Sequence, residues 1–338
     1  MASSNEAAAA APPPPPPPPP MHYLITGAAR GIGRGLTRTL LSKGHRVFLI
    51  DSNAPELQHT LSLAPSWYRP APPSSSSSPS SSSSPPPPPP PPPDPSSHAG
   101  AGAGAGAAAV QGAVADLSDR AALRSAVAQA SAFFSGRLDV LVNNAFATPH
   151  VWSEGRAMYD DDDDANEAIE REWDVKIAVG LTAPFLLARL CVPMLRKGGR
   201  EGGGGGGPCI INVSSTRAHQ AEPNHEAYSA VKAGLLGLTR SMAVSLGSGG
   251  GGLCPIRVNA VTPGWIDVDD ENAAADARKA GWGEALGEAD HAWHPAGRVG
   301  RVEDVARAVV FLAESGFVTG EEIVLDGGVG RKMVYPEE

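Results

Sequence analysis

The sequence holds little cysteine, few aromatic residues and fewer basic than acidic side chains. Its three cysteines, Cys191, Cys209 and Cys254, are too few and too scattered for a disulfide framework or a zinc site. A net charge of −9 argues against a broad cationic surface for nucleic acid. No uninterrupted apolar run reaches the roughly 18 residues of a membrane span, and residues 1–20 lack the Lys and Arg of a signal or transit peptide. We therefore expect a cytoplasmic protein with no nucleic-acid partner, no membrane partner and no bound metal.

Proline, serine and glycine are concentrated in a few low-complexity stretches. Residues 1–20 end in a polyproline run, which favours an extended rod, and we interpret them as a disordered tail. The tail is either passive or a ligand for an aromatic-grooved adaptor domain. Residues 70–109 are predicted to be a disordered insertion, residues 198–207 a Gly-rich loop, and the aspartate run 160–164 a solvated loop. The rest of 21–335 is predicted to form a single domain.

Short apolar strands alternate with helical repeats of apolar residues along this domain. Strict alternation of the two, with mostly apolar strands, predicts a parallel sheet covered by helices on both faces. The fold class is therefore α/β, a doubly wound parallel sheet of the Rossmann type. Strands are predicted at 22–26, 46–51, 110–115, 138–142, 209–213, 256–261 and 322–325, and helices at 32–41, 118–134, 167–195, 227–246 and 302–313.

The first strand runs into the sequence TGAARGIG, at the point where a helix begins. Glycines there let the backbone turn sharply and approach a pyrophosphate, while the helix N-terminus offers free N–H groups. The spacing differs from the general G-x-G-x-x-G fingerprint, so an ordinary tight turn remains the alternative. The candidate cofactor-binding residues of this turn are Gly27, Arg30, Gly31, Ile32 and Gly33.

Two aspartates follow the next two strands and are candidates for contacts with the adenosine half of a dinucleotide. Asp51 closes the second strand, where a carboxylate accepts hydrogen bonds from ribose hydroxyls and repels a 2′-phosphate, which favours NAD. Arg30 would instead pair with such a phosphate, so NADP stays possible. Asp116, just after the third strand, is either an adenine contact or a helix cap.

A second group of candidate residues consists of Ser215, Tyr228 and Lys232. Tyr and Lys four positions apart project from one face of a helix, and a Ser at the end of the preceding strand can converge on them. An unperturbed Tyr has a pKa of about 10, which makes it a poor base at neutral pH. A nearby ammonium would lower that pKa and bring Tyr228 into range as a general acid/base. Alone, however, a Tyr-x-x-x-Lys pair also occurs on helix surfaces without a function.

Together these motifs resemble the short-chain dehydrogenase/reductase family. The matching segments occur in family order and include the glycine turn, NNA at 143–145, IINVSS ending at Ser215, YSAVK at 228–232 and NAVTPG ending at Gly264, followed by RVGRVEDVARAVVFL and TGEEIVLDGG. The resemblance implies an NAD(P)-dependent oxidoreductase that interconverts a secondary alcohol and a ketone. It also implies a homo-oligomer, commonly a tetramer, assembled through helices 167–195 and 227–246.

The resemblance also implies a role for each matching residue. Tyr228 would be the acid/base, Lys232 would bind the nicotinamide ribose, and Ser215 would hydrogen-bond the substrate oxygen. Asn143 and Ala145 would steady the sheet edge beside the adenine ribose. The nicotinamide pocket would be lined by Pro263 and Gly264, and the pyrophosphate would be held by Gly27, Arg30, Ile32 and Gly33.

Three positions depart from the family pattern. Phe146 replaces the last glycine of NNAG, Gly180 stands where the family has a catalytic Asn, and Val268 stands where a Thr often binds the carboxamide. These departures support an alternative function, a low-turnover nucleotide-binding sensor or scaffold on the same fold. The intact Ser215, Tyr228 and Lys232 oppose it.

Residues 265–296 are predicted to form a variable substrate lid. Its aromatic residues suit a pocket for an apolar or ring-bearing small molecule, although packing of the lid on its own domain is the alternative. His219 and His225 either border the pocket or lie on the surface. The lid residues in question are Trp265, Trp282, Trp293, His291 and His294.

Overall fold

The computed structural model describes residues 20–70, 108–201, 206–247 and 253–333. The predicted tail at 1–20 and insertion at 70–109 lie almost entirely outside these residues. So does part of the predicted Gly-rich loop, whose first residues instead continue a helix that ends at Glu201.

Seven parallel strands form one sheet in the order β3-β2-β1-β4-β5-β6-β7. Within it, Tyr23 lies opposite Val47 on one side and opposite Val140 on the other. The arrangement confirms the predicted doubly wound parallel sheet. The strands are β1 (His22–Thr26), β2 (Arg46–Asp51), β3 (Val110–Val114), β4 (Val140–Asn143), β5 (Cys209–Val213), β6 (Arg257–Pro263) and β7 (Glu322–Leu325).

Helices cover both faces of the sheet. They are α1 (Gly31–Ser42), α2 (Ala54–Trp67), α3 (Arg120–Phe133), α4 (Asp163–Ile177), α5 (Ala183–Glu201), α6 (Glu226–Gly247), α7 (Ala273–Arg278), α8 (Glu288–Ala292) and α9 (Val302–Glu314). A π-helical turn, Ala178–Thr182, joins α4 to α5.

Alternate residues of each central strand enter two separate cores, because successive side chains point to opposite faces. Tyr23 and Ile25 pack in the core under α1, α2 and α9. Leu24 lies in the other core, under α3, α5 and α6, together with Phe48 and Leu141. Burial on both faces explains why these strands read as continuous apolar runs.

The strand order reverses between β1 and β4, since the chain builds outward from β1 through β2 and β3 and then returns to β4. Ligands of open α/β sheets bind outside the carboxyl ends of the strands at such a switch point. The glycine turn after β1 and the NNA segment after β4 therefore meet there.

Helix α2 is not among the helices predicted from the sequence. Two local features of the sequence indicate this helix. Asn53 caps it by accepting the backbone N–H of Glu56 at 3.1 Å, and Pro55 lies in its first turn. Pro65 lies inside the last turn, a position at which proline removes a helical hydrogen bond.

The predicted single helix 167–195 is α4, the π-helical turn and α5 in succession. By length and composition, residues 163–199 are apolar enough to cross a membrane, with a mean hydropathy of 1.8 over the best window. Arg189 interrupts the apolar run within these residues, so the sequence predicts no membrane span there. One face of α5 packs on the sheet, since Leu187 and Cys191 are fully buried in the core beneath it.

Candidate active site

A cleft of about 940 Å³ lies at the carboxyl ends of the central strands. Most of the candidate site residues line this cleft, although they come from separate parts of the chain. Gly33 and Asn143 are not part of its lining. The candidates that line it are Gly27, Arg30, Gly31, Ile32, Asp51, Asp116, Ala145, Ser215, Tyr228, Lys232, Pro263 and Gly264.

The glycine turn leaves no room for side chains at two of its positions. Gly27 has a φ of +62°, and a Cβ there would lie 2.8 Å from the Cα of Ala145. A Cβ on Gly33 would lie 2.1 Å from the carbonyl oxygen of Gly27. Gly33 therefore acts by close packing of α1 on the turn, and the open cradle this leaves fits a pyrophosphate at the helix N-terminus.

Asn143 and Asn144 have different roles. The amide of Asn143 is buried and donates to Asn212 at 2.9 Å, and Asn212 in turn donates to Thr239 of α6 at 2.8 Å. Asn143 thus ties β4 to β5 and α6 behind the cleft and does not face it. Asn144, which was not predicted as a site residue, lines the cleft and donates to the carbonyl of Gly27 at 3.0 Å.

Asp51 is held in place at the end of β2 by two backbone groups. Its Oδ2 accepts the N–H of Ala29 at 2.9 Å, and its Oδ1 accepts the N–H of Asn53 at 2.9 Å. Arg30 is exposed and donates to the hydroxyl of Thr148 at 3.3 Å, in the loop after β4. Arg30 is thus bonded to the loop after β4, whereas Asp51 ends β2, and β2 and β4 flank β1 on opposite sides.

Asp116 lines the cleft and does not cap the following helix. Its Oδ1 accepts the backbone N–H of Ser118 at 2.8 Å and the Ser118 hydroxyl at 2.8 Å. The cap of α3 is Asp119, which accepts the N–H of Ala121 at 2.7 Å. The interpretation of Asp116 as a helix cap is therefore wrong.

Ser215, Tyr228 and Lys232 meet at one end of the cleft. Ser215 follows β5, and Tyr228 and Lys232 lie one turn apart on α6. The Ser214 hydroxyl donates to the carbonyl of Lys232 at 2.8 Å, which fastens the strand end to this helix. Lys232 is buried, and its Nζ donates to the carbonyl of Val213 at 2.8 Å.

The pKa of Tyr228 is controlled differently from the sequence expectation. Burial raises it above its ordinary value, while the hydrogen bond from Ser215 and the charge of Arg217 lower it. Lys232 is not among the groups that act on it. Burial lowers the pKa of Lys232 itself to about 8, and its Nζ lies 5.4 Å from the centre of the Tyr228 ring. The expected lowering of the Tyr228 pKa by Lys232 is therefore not found in this structure.

Two aromatic residues that were not selected as site residues pack against Tyr228. His150 stacks on its ring with centroids 4.4 Å apart, and Phe146 meets it edge-on at 4.8 Å. Both line the cleft. Burial, together with the positive charge of Lys232, lowers the pKa of His150 to about 4. His150 belongs to no sequence motif, so only its position in the fold identifies it.

A second cavity of about 710 Å³ lies beside the cleft and shares Gly264 with it. Trp265, Trp293 and His294 of the lid line this cavity. Trp282 instead lies against the guanidinium of Arg301, 3.7 Å from the ring centre. One part of the lid therefore lines a pocket, and another part packs on its own domain.

Of the remaining candidates, His225 borders the site, because its ring meets that of Tyr228 edge-on with centroids 6.2 Å apart. His219 contacts Glu322 at 2.7 Å on β7, and His225 contacts the carbonyl of Pro223 at 3.0 Å. In the aspartate run, Asp162 caps α4 by accepting the N–H of Ala165 at 2.8 Å. Within the described parts of the chain, no three His, Cys, Asp or Glu side chains are grouped to hold a metal ion.

Comparison with known proteins gives the class of this protein. The family profile described as “short chain dehydrogenase” matches residues 21–66, and the one described as “Enoyl-(Acyl carrier protein) reductase” matches residues 96–330. The second match covers more than half of the sequence, and the chain belongs to the short-chain dehydrogenase/reductase family.

Curated relatives and solved structures agree with this assignment. An uncharacterized oxidoreductase of Thermotoga maritima is 38% identical over 225 residues, which are 66% of this chain and 77% of the relative. A 3-oxoacyl-[acyl-carrier-protein] reductase of Salmonella typhimurium is 28% identical over 313 residues, 90% of this chain and 96% of the relative. The structure of an apo SCOR enzyme from Clostridium thermocellum superposes with a TM-score of 0.65 at 28% identity, covering 93% of this chain and 95% of that one. The protein is accordingly an NAD(P)-dependent oxidoreductase, which favours the enzyme over the sensor or scaffold alternative.

Proposed function

We propose that the protein interconverts a secondary alcohol and a ketone, with Ser215, Tyr228 and Lys232 as the catalytic residues. The observation that carries the proposal is their convergence at one end of a cleft whose other walls are the glycine turn and Asp51. Ser215 and Tyr228 supply two hydroxyls that can form hydrogen bonds with one substrate oxygen. The fully buried Lys232 anchors the same end of the cleft.

In this proposal Tyr228 moves the proton. In the reduction direction its hydroxyl donates to the substrate oxygen, and in the oxidation direction it accepts the proton from the alcohol. Ser215 holds that oxygen and also stabilises the Tyr228 phenolate, since its hydrogen bond lowers the Tyr228 pKa. A bound nicotinamide would supply or accept the hydride. Lys232 would bind the nicotinamide ribose with its ammonium.

We propose NAD as the preferred dinucleotide. The glycine turn, braced by Asn144, would hold the pyrophosphate, and Asp51 would accept from the adenosine ribose hydroxyls. The fixed carboxylate of Asp51 supports NAD, because it would repel a 2′-phosphate. Arg30 donates instead to Thr148, in the loop after β4 on the other side of β1. In this arrangement it is not paired with the position of a 2′-phosphate.

We propose that the substrate carries a ring or a sizeable apolar group. The second cavity adjoins the catalytic end of the cleft at Gly264, and Trp265 and Trp293 line it. Trp265→Ala should raise KM for ring-bearing alcohols several-fold while leaving KM for short aliphatic alcohols unchanged. An equal effect on both substrate types would count against this substrate class.

We also propose a homo-oligomer that buries the outer faces of α4, α5 and α6. Three large apolar side chains there are 40%, 42% and 77% exposed, namely Trp173, Phe185 and Val244. Helices with apolar residues on more than one face require a cover beyond their own sheet. Light scattering at micromolar concentration should give a mass well above that of one chain, and a monomer would contradict the proposal.

One screen tests activity and cofactor together. Secondary alcohols and carbonyl compounds are offered with NAD(H) and with NADP(H), and the absorbance of the reduced nicotinamide is followed. Turnover in wild type that is lost in Tyr228→Phe supports the proposal. Binding of either dinucleotide without turnover of any substrate would favour the sensor or scaffold function.

A further inference from the structure

The loop after β4 supplies two aromatic side chains to the Tyr228 ring from different directions. His150 stacks on its face, with 25° between the ring planes, while Phe146 presents its ring at 85°. Both arrangements are favourable for aromatic pairs. The Nζ of Lys232 lies 5.4 Å from the centre of the Phe146 ring and equally far from that of Tyr228. Phe146 thus contacts both members of the Tyr-Lys pair.

Gly180 makes the space that the Phe146 ring occupies. It is buried in the π-helical turn between α4 and α5. A Cβ at this position would lie 2.9 Å from Cδ2 of Phe146 and 2.5 Å from Cγ1 of Val231 on α6. Such distances are too short for carbon atoms, so a larger residue at 180 would have to displace both Phe146 and Val231. The two departures from the family pattern, Phe146 and Gly180, are therefore sterically linked.

We propose that Phe146 is a positioning residue for Tyr228, that His150 completes an aromatic clamp on the same ring, and that Gly180 is required to admit Phe146. The clamp fixes the phenol relative to Lys232 and excludes water from it. This inference rests on the proposed function only where turnover is measured. Its steric and protonation consequences can be measured on the protein alone.

The protonation test follows the ionisation of Tyr228 by phenolate absorbance. Burial is the chief cause of the raised pKa of Tyr228, so Phe146→Leu and His150→Ala, which admit water, should each lower that pKa. Subtracting the titration of the matching Tyr228→Phe double variant isolates this tyrosine from the other four. His150→Phe, which keeps a stacking ring, should restore the wild-type titration. Phe134→Leu, a substitution in the far core, should leave it unchanged.

The steric test is a double-variant cycle in thermal stability. Gly180→Ala should lower the melting temperature markedly, and Phe146→Ala should lower it through loss of packing. The combined variant should lose less stability than the sum, because the alanine at 180 then clashes only with Val231 and no longer with Phe146. Additive losses would overturn the link between the two positions.

The kinetic test separates positioning from mere packing. If the protein turns over a substrate, Phe146→Leu should lower kcat about tenfold, because a shifted acid/base loses alignment, with little change in the affinity for the dinucleotide. An unchanged kcat together with an unchanged Tyr228 titration would overturn the proposal. If no substrate is found, the proposed function fails, but the titration and the stability cycle still decide this inference.

Discussion

The Oδ2 of Asp51 accepts the backbone N–H of Ala29 at 2.9 Å, so the acidic end of β2 is joined directly to the glycine turn after β1. The same carboxylate that would select the ribose therefore also braces the turn that would hold the pyrophosphate. Substitution of Asp51 is expected to affect both functions, and a pair of variants can separate them.

Asp51→Ala should weaken NAD binding and reduce the exclusion of NADP, because the variant lacks both the acceptor and the repelling charge. Asp51→Asn is the matched control, since it keeps an acceptor for a backbone N–H but lacks the charge. We expect NADP binding to improve in both variants and NAD binding to weaken more in the alanine variant. Titration of intrinsic fluorescence with each dinucleotide measures these affinities, and a wild-type preference for NADP would contradict the prediction.

Tyr228→Phe should abolish turnover while dinucleotide binding survives, because the hydroxyl proton is needed in the transition state and not for holding the cofactor. The ring contacts with Phe146 and His150 should persist, so the fold is expected to be unaffected. Steady-state rates and dinucleotide titrations on the same preparation check this. Turnover at the wild-type rate would remove Tyr228 from the mechanism.

Lys232→Met should impair both dinucleotide affinity and turnover. The thioether chain fills much of the buried space, so the loss reports chiefly on the ammonium, which would bind the ribose and which contacts the carbonyl of Val213. Loss of that donor also leaves the Val213 carbonyl without this partner, so a lower melting temperature is expected. An affinity equal to that of wild type would exclude the ribose role.

The pH dependence should differ between the two reaction directions. Because the pKa of Tyr228 is raised, its phenol is protonated at neutral pH and can donate to a carbonyl oxygen. Carbonyl reduction should therefore persist at neutral pH and fall as the pH rises through that pKa, whereas alcohol oxidation should rise. Ser215→Ala removes a hydrogen bond that lowers the pKa of Tyr228. The fall of the reduction rate and the rise of the oxidation rate should therefore both move to higher pH. Profiles of kcat/KM against pH in both directions measure this, and limbs that move to lower pH would refute it.

Acid stability should depend on Asp304. Hydrogen bonds from Arg298 and from the backbone of Arg301 hold its pKa at about 2, against 3.8 for an unperturbed Asp. A lowered folded-state pKa stabilises the fold above the unfolded value, and this contribution is lost as the pH falls from about 4 to 2. Allowing for solvent screening of the exposed arginines, it amounts to about 1 to 2 kcal/mol. Asp304→Asn should cost that much in urea unfolding at pH 7 and almost nothing near pH 2, and an equal cost at both would contradict the assignment.

Much of this protein could be predicted from the sequence because the relevant signals are local. Alternating apolar strands and helices predict the doubly wound sheet, since the pattern reflects burial on both faces of each strand. The four-residue spacing of Tyr228 and Lys232 places them on one helix face whatever surrounds them. Helix α2, which was not predicted, also has local signals in its Asn53 cap and in the proline of its first turn.

Other features depend on side chains that meet only when the chain folds. Neither Phe146 nor Gly180 predicts its partner, because they are distant in sequence and their link is a contact across the π-helical turn. The raised pKa of Tyr228 results from burial, and burial is a property of the assembled site. The sequence by itself determined the sheet, the turn and the catalytic spacing through local backbone geometry. Tertiary packing alone decided how the Tyr228 ring is held and protonated, because both depend on which surfaces exclude water from it.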